Sequence, residues 1–415
     1  MTEVKKNDTK KLKKEDFPPE LLKRIKTAAN YCYSCNRCVN VCPLSHLDVF
    51  SPRKLINDLN FLSLEKALEN NNIWNCLTCG QCTVYCPMTK DNKGVKIPEL
   101  ILELRELAKD FVPEEQKIAQ CETHDGMWPL IARIQAENPN PPNKLDFIEE
   151  SNLKVKKKGE LAVYVGCLPL MSDVIFNFDI NYTGIPKTII GLMNEADITP
   201  VVLDEKCCGH DILWGKGDKE TFKQLAQYNI KLYRDAGVKK IVFGCAEGYK
   251  TWKIDYPKVI DDFDFEIIHF SEFFLKENIL ENIRFPQEFN VKVTYHDACR
   301  MGRLGDKLYD PPRKLIESIP GIELVEMENI KDDAGCCGVS AFSGCNEYTH
   351  FLRESRIKEA IDTGAQYMLV PCPKCLTHFN CYLNEPTVNQ KHRELKDRIK
   401  VVDLASFIGE LLFMV

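Results

Sequence analysis

The chain has 415 residues, of which 44% are hydrophobic and 28% are charged, and its formal net charge is -6 at pH 7. This length and composition are typical of a folded globular protein with two or three domains and argue against a disordered chain. The mild negative charge, with no basic stripe interleaved with aromatic residues, argues against a nucleic-acid partner.

Cysteine is the unusual component, with 20 copies in a chain that shows no secretory signal. Most of them stand in CxxC or CC groups, so disulfides are not the expectation, and we predict a cytoplasmic protein. No run of about 18 apolar residues is present, so we predict no transmembrane segment. Peripheral association through a membrane subunit is left open. Residues 1–15 are rich in Lys and are predicted to form a flexible tail.

The region from residue 16 to residue 111 is predicted to form an all-helical domain. One helix is expected to begin at Pro52, with Ser51 as its N-cap. Three apolar residues of this helix lie on one face: Leu55, Ile56 and Leu59. A second helix is predicted from Ile97 to Phe111. The proline-rich stretch that follows, residues 112–158, is predicted to be a surface linker.

From Leu161 onward, β-branched runs that end at cysteines or turns alternate with helical stretches, which is typical of α/β structure. The same order of motifs occurs twice. LAVYVGC is matched by VKVTYHDAC, ITPVVLDEKCCG by IELVEMENIKDDAGCCG, and IVFGC by YMLVPCPKC. Each copy closes with a strand-into-helix segment, IIHFSEFF or VVDLASFI. We therefore predict two related α/β lobes, at residues 159–288 and 289–415.

Two copies of CxxCxxCxxxCP stand near the N-terminus, at residues 32–43 and 76–87. In this motif, three cysteines at three-residue intervals wrap around one corner of a cubane, while the fourth serves the other cluster. We therefore predict two [4Fe-4S] clusters. The predicted ligands are Cys32, Cys35, Cys38 and Cys86 for the first cluster, and Cys76, Cys79, Cys82 and Cys42 for the second. Two zinc ribbons are the alternative, although zinc needs neither the third CxxC interval nor the trailing CP.

A further set of cysteines stands where the predicted strands of the second lobe end: Cys299, Cys336, Cys337, Cys372 and Cys375. Strand ends line the binding crevice of an α/β lobe. Five thiolates exceed what a zinc site or a standard cubane needs, which favours a cluster of unusual shape. The predicted fold class is α+β multidomain, with an all-helical two-cluster ferredoxin module followed by two repeated α/β lobes.

The repeated C, CCG, CxxC pattern resembles the cysteine-rich CCG domain of heterodisulfide reductases. The two-cubane module ahead of it resembles the fused arrangement of their D subunit, so the resemblance covers nearly the whole chain. It implies that the five cysteines of the second lobe are catalytic and hold a noncubane [4Fe-4S] cluster. It also implies cleavage of the disulfide of coenzyme M and coenzyme B, with electrons arriving through the cubanes.

The first lobe departs from the family pattern. Four of its cysteines match cofactor-binding positions: Cys167, Cys207, Cys208 and Cys245. Gly248 stands where the resemblance calls for a fifth cysteine. Either the lobe holds a further cluster, with His210 as a candidate ligand or proton donor, or it keeps only the fold. Both alternatives stay open at this point.

Some residues near the motifs have two interpretations. Three residues flank Cys299: His296, Asp297 and Arg300. In one interpretation they tune a cluster or bind an anionic substrate, and in the other they form turns and surface pairs. Three cysteines lie outside the motifs and are expected to be small buried hydrophobic residues: Cys121, Cys345 and Cys381.

No nucleotide phosphate motif of the GxGxxG or GxxxxGK[ST] kind is present at a strand-to-helix turn, so we expect the electron donor to be another redox subunit, with a flavoprotein the leading candidate.

Two functions are open. The complete five-cysteine set favours a heterodisulfide-reductase-like enzyme that acts on a disulfide or thiol substrate. The loss of a cysteine at Gly248 favours a non-catalytic electron-transfer subunit of a larger anaerobic redox complex or flavoprotein dehydrogenase.

Overall fold

The computed structural model describes residues 19–92, 94–108, 127–175, 180–338, 347–384 and 394–412. The predicted tail, Cys121 and Cys345 lie outside these residues. The described part of the chain forms two compact units. The N-terminal unit extends to Pro129 and also contains Asp211–Lys219 and residues 347 and 348. The α/β unit contains the rest, including both predicted lobes.

The N-terminal unit is helical, as predicted. Its helices are α1 (Pro19–Asn30), α2 (Arg37–Asn40), α3 (Pro52–Phe61), α4 (Leu64–Asn70), α5 (Gln81–Tyr85) and α6 (Ile97–Ala108), with a 3₁₀ turn at Pro87–Asn92. The predicted start of α3 is confirmed, because the Ser51 side chain accepts a hydrogen bond from the backbone N–H of Lys54 at 3.4 Å. Helix α3 buries the predicted apolar face. Helix α6 begins at Ile97 as predicted and is described as far as Ala108.

The described part of the predicted linker is helical rather than irregular. It forms α7 (Met127–Glu137) and α8 (Asp146–Glu150). Both helices contribute core residues, among them Trp128 and Phe147. The prediction of a linker rested on the prolines, but proline is accepted in the first turn of a helix. Pro129 occupies such a position in α7.

The α/β unit contains two parallel sheets. The first has the strand order β1-β2-β3 and consists of β1 (Leu161–Tyr164), β2 (Lys240–Phe243) and β3 (Glu266–His269). The second has the order β5-β4-β6-β7 and consists of β4 (Val291–Tyr295), β5 (Ile322–Leu324), β6 (Tyr367–Val370) and β7 (Lys400–Asp403). Parallel strands buried on both faces account for the continuous apolar runs that the sequence shows.

The internal repeat is confirmed by the topology. Strands β1, β2 and β3 of the first sheet correspond in order to β4, β6 and β7 of the second. The segment that corresponds to β5 is reduced to isolated bridges, in which Val201 pairs with Ala162 of β1 and with Lys156. Each sheet therefore has the same central strand order.

Helices connect and cover the strands. They are α9 (Leu168–Val174), α10 (Gly184–Glu195), α11 (His210–Trp214), α12 (Lys219–Asp235), α13 (Ala246–Lys250), α14 (Phe270–Lys276), α15 (Asp310–Glu317), α16 (Glu347–Asp362), α17 (Pro373–Asn384) and α18 (Leu404–Leu411). A π turn stands at Thr251–Asp255, and 3₁₀ turns stand at Tyr256–Lys258, Ile279–Asn282 and Lys331–Asp333. The predicted strand-into-helix closures are confirmed as β3 with α14 and β7 with α18. Among the described residues, none of the helices combines the length and apolar character that a bilayer crossing requires.

Asp403 ends β7 and caps α18. Its carboxylate accepts hydrogen bonds from the backbone N–H groups of Ala405 (2.8 Å) and Ser406 (3.4 Å). Burial raises the pKa of this carboxyl from 3.8 to about 7, against the opposing effect of the two backbone hydrogen bonds. The folded chain therefore keeps a proton on Asp403 at pH values where the unfolded chain has lost it.

We expect the stability that this proton contributes to decline as the pH rises. Because the folded pKa lies above the unfolded one, the contribution is complete below the unfolded pKa and is lost as the pH rises through about 7. Between pH 5.5 and 8, the free energy of unfolding should fall by about 2 kcal/mol from this group. Urea unfolding at the two pH values measures the fall, and Asp403→Asn should remove it. The exposed Asp397 provides the control Asp397→Asn, which should behave as wild type; equal slopes in all three proteins would refute the assignment.

Candidate functional site

The cysteines of the N-terminal unit line two cavities. One is lined by Cys32, Cys35, Cys38 and Cys86, with Cys82 also on its wall, and the other by Cys42, Cys76, Cys79 and Cys82. The fourth cysteine of each motif thus stands with the first three of the other motif. This grouping supports the crossed ligand assignment that the motif spacing predicts.

The two CxxC turns have the same backbone geometry. Ser34 and Asn36 in the first turn have φ of 61° and 66°, and Thr78 and Gly80 in the second have φ of 46° and 84°. The backbone N–H of the residue two positions after the first cysteine points to its sulfur, at 3.4 Å in both motifs. Left-handed residues within such turns aim several N–H groups into one concavity, which suits an anionic iron–sulfur cluster.

The first cavity is more accessible than the second. Cys35 is exposed, whereas all the cysteines of the second set are buried. Burial, aided by neighbouring thiols, raises the pKa of Cys38 to about 11, and burial raises the pKa of Cys76 to about 12. Metal ligation requires thiolates, so these sites need a positively charged occupant to hold the sulfurs deprotonated.

The structure brings together four cysteines of the second lobe. The Cys337 thiol lies beside those of Cys336 and Cys375, and the Cys375 thiol also lies beside that of Cys372. All four are buried, whereas Cys299, in the turn after β4, is half-buried. Strand β4 pairs directly with β6, which leads to Cys372. The five predicted residues therefore follow neighbouring strands and the CCG turn.

His378 is a site residue that the sequence analysis missed. It is fully buried on α17 and lies beside Cys337. Contacts with Cys336, Cys375 and His378, in that order, hold the pKa of Cys337 well below its ordinary value. A usable signal was present, because His378 stands three residues after Cys375 and such a pair shares one face of a helix.

The first lobe repeats part of this arrangement. The Cys207 thiol lies beside those of Cys167 and Cys208, and Cys245 lies near both Cys208 and Cys372 of the second lobe. The glycine that follows each cysteine pair is left-handed, with φ of 80° at Gly209 and 82° at Gly338. A residue with a side chain would be strained there, which explains why the CCG turn uses glycine.

The backbone at Gly248 could accept a cysteine. A Cβ atom there would lie 3.3 Å from Cδ1 of Phe243, 3.5 Å from Cε1 of Tyr164 and 3.7 Å from Cβ of Cys245. The distances of 3.5 and 3.7 Å are ordinary van der Waals contacts, whereas the 3.3 Å contact requires the Phe243 ring to shift by a few tenths of an ångström. The missing ligand is therefore a difference of residue type and not of backbone.

We expect Gly248→Cys to give the first lobe the same ligand set as the second. Purified anaerobically, this variant should contain at least as much iron as wild type and about four more irons per chain if the wild-type lobe is empty. The matched control is Gly248→Ala, which adds the same Cβ without a thiol and should leave the iron content unchanged. Iron lost in Gly248→Cys but not in Gly248→Ala would contradict the geometric argument.

A buried polar network links the two lobes beside the cysteine sites. Nε of Arg300 donates to Nε2 of His210 at 3.0 Å, and Nδ1 of His210 lies 3.1 Å from the Thr251 hydroxyl. The Glu247 carboxylate lies 3.5 Å from Nζ of Lys374 and 3.6 Å from Nε2 of His210. Burial, together with the positive charges of Arg300, Lys250 and Lys374, holds the pKa of His210 well below its ordinary value. The backbones also meet, because the N–H of Ala246 donates to the carbonyl of Pro371 at 3.2 Å.

The three residues with open interpretations near Cys299 occupy defined positions. Asp297 forms two 2.8 Å hydrogen bonds with the guanidinium of Arg313, which agrees with a structural pair. His296 accepts from Nε of Arg356 at 3.2 Å, and burial lowers its pKa to about 3. Arg300 belongs to the network between the lobes. Cys381, outside the motifs, is buried as expected.

The helical part of the predicted linker supports the CCG turn of the first lobe. Gln135 on α7 accepts a hydrogen bond from the backbone N–H of Cys207 at 3.0 Å. Lys144 donates to the backbone carbonyl of Glu205, and its Nζ lies 3.9 Å from the Glu205 carboxylate. That carboxylate accepts from the N–H groups of Val165 (2.9 Å) and Gly166 (2.5 Å), in the turn that leads to Cys167. The linker residues are therefore part of the site's framework.

Comparison with known proteins agrees with this architecture. Residues 161–248 and 293–380 each match the cysteine-rich domain called CCG, and residues 28–89 match a 4Fe-4S dicluster domain. The dicluster match supports two [4Fe-4S] cubanes over zinc ribbons. The two CCG matches cover the two α/β lobes and are consistent with further clusters.

Several curated proteins are similar over most of the chain. The D subunit of dihydromethanophenazine:CoB--CoM heterodisulfide reductase from Methanosarcina acetivorans is 26% identical over 83% of this chain and 86% of its own length. The protein of the same name from Methanosarcina barkeri is 24% identical over 92% of this chain and 93% of its own length. EtfAB:quinone oxidoreductase of Syntrophomonas wolfei is 24% identical over 92% of this chain and 58% of its own length.

Proposed function

Because the chain is an iron–sulfur protein of the heterodisulfide reductase type, with a dicluster domain ahead of two CCG domains, we propose that it is a redox protein that reduces a disulfide at its second lobe. It is an oxidoreductase related to heterodisulfide reductase and to other CCG oxidoreductases. The substrate is proposed to be a disulfide of the coenzyme M and coenzyme B kind, by analogy with the named relatives.

The grouping of buried thiols in the second lobe carries this proposal. Four of its cysteines lie together as one buried group, with His378 against Cys337. They and Cys299 would hold a noncubane [4Fe-4S] cluster, which supplies the electrons for cleaving the S–S bond. Cys299 is the member of the set that is only half-buried, so we place the approach of the substrate on its side. Reduction of one disulfide consumes two electrons and two protons and releases two thiols.

The N-terminal unit is proposed to be the electron input. The exposed Cys35 would put the first cubane at the surface, where another protein can deliver electrons, and the burial of the second set would put the other cubane inside. The relatives from Methanosarcina acetivorans and Methanosarcina barkeri are named as a subunit of heterodisulfide reductase. We propose a flavoprotein subunit as the donor, with one-electron steps through two cubanes.

A second candidate function is that of an electron relay without its own substrate. Gly248 favours it, because the first lobe lacks the fifth cysteine that the second lobe has. The similarity to EtfAB:quinone oxidoreductase also favours it, since that protein is named for oxidoreduction between EtfAB and a quinone. The polar network between the lobes is compatible with either function.

Turnover with a disulfide separates the two functions. The anaerobically purified chain, with its metal content determined first, is mixed with reduced viologen dye and the disulfide of coenzyme M and coenzyme B. Dye oxidation coupled to the appearance of two thiols per disulfide supports the enzyme. Reduction of all clusters without thiol release would reject it and favour the relay.

A further inference from the structure

One buried arginine connects the parts of the N-terminal unit. Arg105 on α6 is fully buried. Its guanidinium donates to four backbone carbonyls, those of Ile73 (3.1 Å), Trp74 (3.1 Å), Cys76 (2.7 Å) and Trp214 (2.5 Å). Three of them lead into the second CxxC turn. The fourth belongs to Asp211–Lys219, the segment that follows the CCGH motif of the first lobe.

This segment packs directly on α6. A Cβ atom at Gly217 would lie 2.4 Å from the backbone N of Glu106 and 2.6 Å from the carbonyl carbon of Arg105. Gly217 also has φ of +69°, so the close approach requires glycine. At the end of the segment, Lys219 pairs with Glu106 at 2.5 Å and with Glu103 at 3.2 Å. Arg105 is thus enclosed between the second CxxC turn and this segment.

The charge of Arg105 acts on the second cysteine set. A guanidinium stays protonated in proteins, and its field is screened less in a buried site than at the surface. The guanidinium lies 2.7 Å from the backbone carbonyl oxygen of Cys76, so its charge stands beside a proposed ligand of the buried cubane. A fixed cation at this distance stabilises added negative charge on whatever the four thiolates bind.

We propose that Arg105 is a positioning residue that raises the reduction potential of the buried cubane and holds Asp211–Lys219 beside the loop of that cubane. The inference rests on the proposed ligands Cys42, Cys76, Cys79 and Cys82. The reaction concerned is a one-electron reduction by the partner redox protein, in which no covalent bond changes. A higher potential at the buried cubane draws electrons inward from the exposed one. Trp214 lies six residues after Cys208, so the segment directly follows the CCG pair of the first lobe in the sequence.

The test is a redox titration of the holoprotein, followed by paramagnetic resonance, in which the two cubane signals are resolved. Arg105→Gln removes the charge and keeps an amide donor. At a fixed potential, we expect this variant to lower the ratio of reduced to oxidised cluster at least tenfold for one of the two cubanes. A tenfold change in this ratio corresponds to a shift of about 59 mV in the reduction potential of a one-electron couple. Arg105→Lys keeps the charge, and its ratio should stay within about threefold of wild type. The matched control Arg24→Gln removes an exposed cation of α1 and should change neither cubane.

Gly217→Ala separates position from charge. It should displace the segment from α6 and slow the reduction of the remaining clusters by pre-reduced cubanes at least tenfold, while both cubane potentials stay within about threefold of wild type. The inference is overturned if Arg105→Gln changes neither potential, or both equally, or if Gly217→Ala leaves the transfer rate unchanged. If Arg105→Gln loses the buried cubane, Arg105→Lys decides, because a tenfold lower ratio in that variant also overturns the inference. Failure of wild type to turn over a disulfide while both cubanes titrate would reject the proposed function and leave this inference standing.

Discussion

Cys375→Ala should abolish disulfide reduction. The variant removes a buried sulfur that contacts Cys337 and Cys372, so we expect the second lobe to lose its cluster. Substitution of residues that only support metal ligands lowers activity by about 10-fold to 100-fold, and loss of a ligand should exceed the upper value. The two cubane signals should persist, because their ligands lie in the other unit. Viologen-linked turnover and iron content measure both effects on one preparation.

Cys381→Ala is the matched control for this prediction. Cys381 is buried on the same helix, α17, outside the cysteine motifs. Its removal changes the core by one sulfur atom and should leave turnover within about twofold of wild type, since a buried cysteine of this kind acts as a small hydrophobic residue. Equal losses in the two variants would show that the effect is structural. Full turnover of Cys375→Ala would remove the second lobe from the proposed reaction.

Lys144→Met should destabilise the α/β unit more than any surface substitution. Lys144 and Glu205 are both buried, with 1% and 0% of their side chains exposed. Removing the lysine leaves a buried carboxylate without its cation, which costs about 3 to 5 kcal/mol in comparable cases. The Glu205 carboxylate also holds the N–H groups of Val165 and Gly166, so the turn before Cys167 should loosen as well. Urea unfolding of the holoprotein measures the loss.

Two further variants test the cause of this loss. Lys157→Met removes an exposed lysine from the same segment and should change the free energy of unfolding by less than about 0.5 kcal/mol. Lys144→Met combined with Glu205→Gln removes both charges and should recover part of the stability, because the two residues are coupled. If the double variant is as unstable as the sum of the two single variants, the ion pair is not the cause.

Local signals in the sequence predicted most of the fold. Ser51 and Pro52 define the start of α3 within two residues, and the runs IIHF and VVDL become strands that end in helices. The repeat predicted two lobes of matching topology, which the strand orders confirm. These signals are local, because a helix cap or a strand can be recognised from a stretch of fewer than about ten residues.

The residues that support the site depend on contacts that the sequence does not display. Arg105 and Trp214 are 109 positions apart, and Lys144 and Glu205 are 61 positions apart. A lone Arg or Lys in a helical or proline-rich stretch looks like a surface residue, because burial of a cation depends on partners supplied by the tertiary fold. His378 differs from these residues, because its spacing of three residues from Cys375 within a helix was visible in the sequence.

The central claim is that the second lobe holds a cluster in addition to the two cubanes. Iron analysis of the anaerobically purified chain, combined with paramagnetic resonance spectra of the reduced and thiol-oxidised protein, tests it most directly. At four irons per cluster, we predict about twelve irons per chain if the first lobe is empty and about sixteen if it is occupied, with a signal that disappears in Cys375→Ala. About eight irons per chain, with cubane signals only, would contradict the claim.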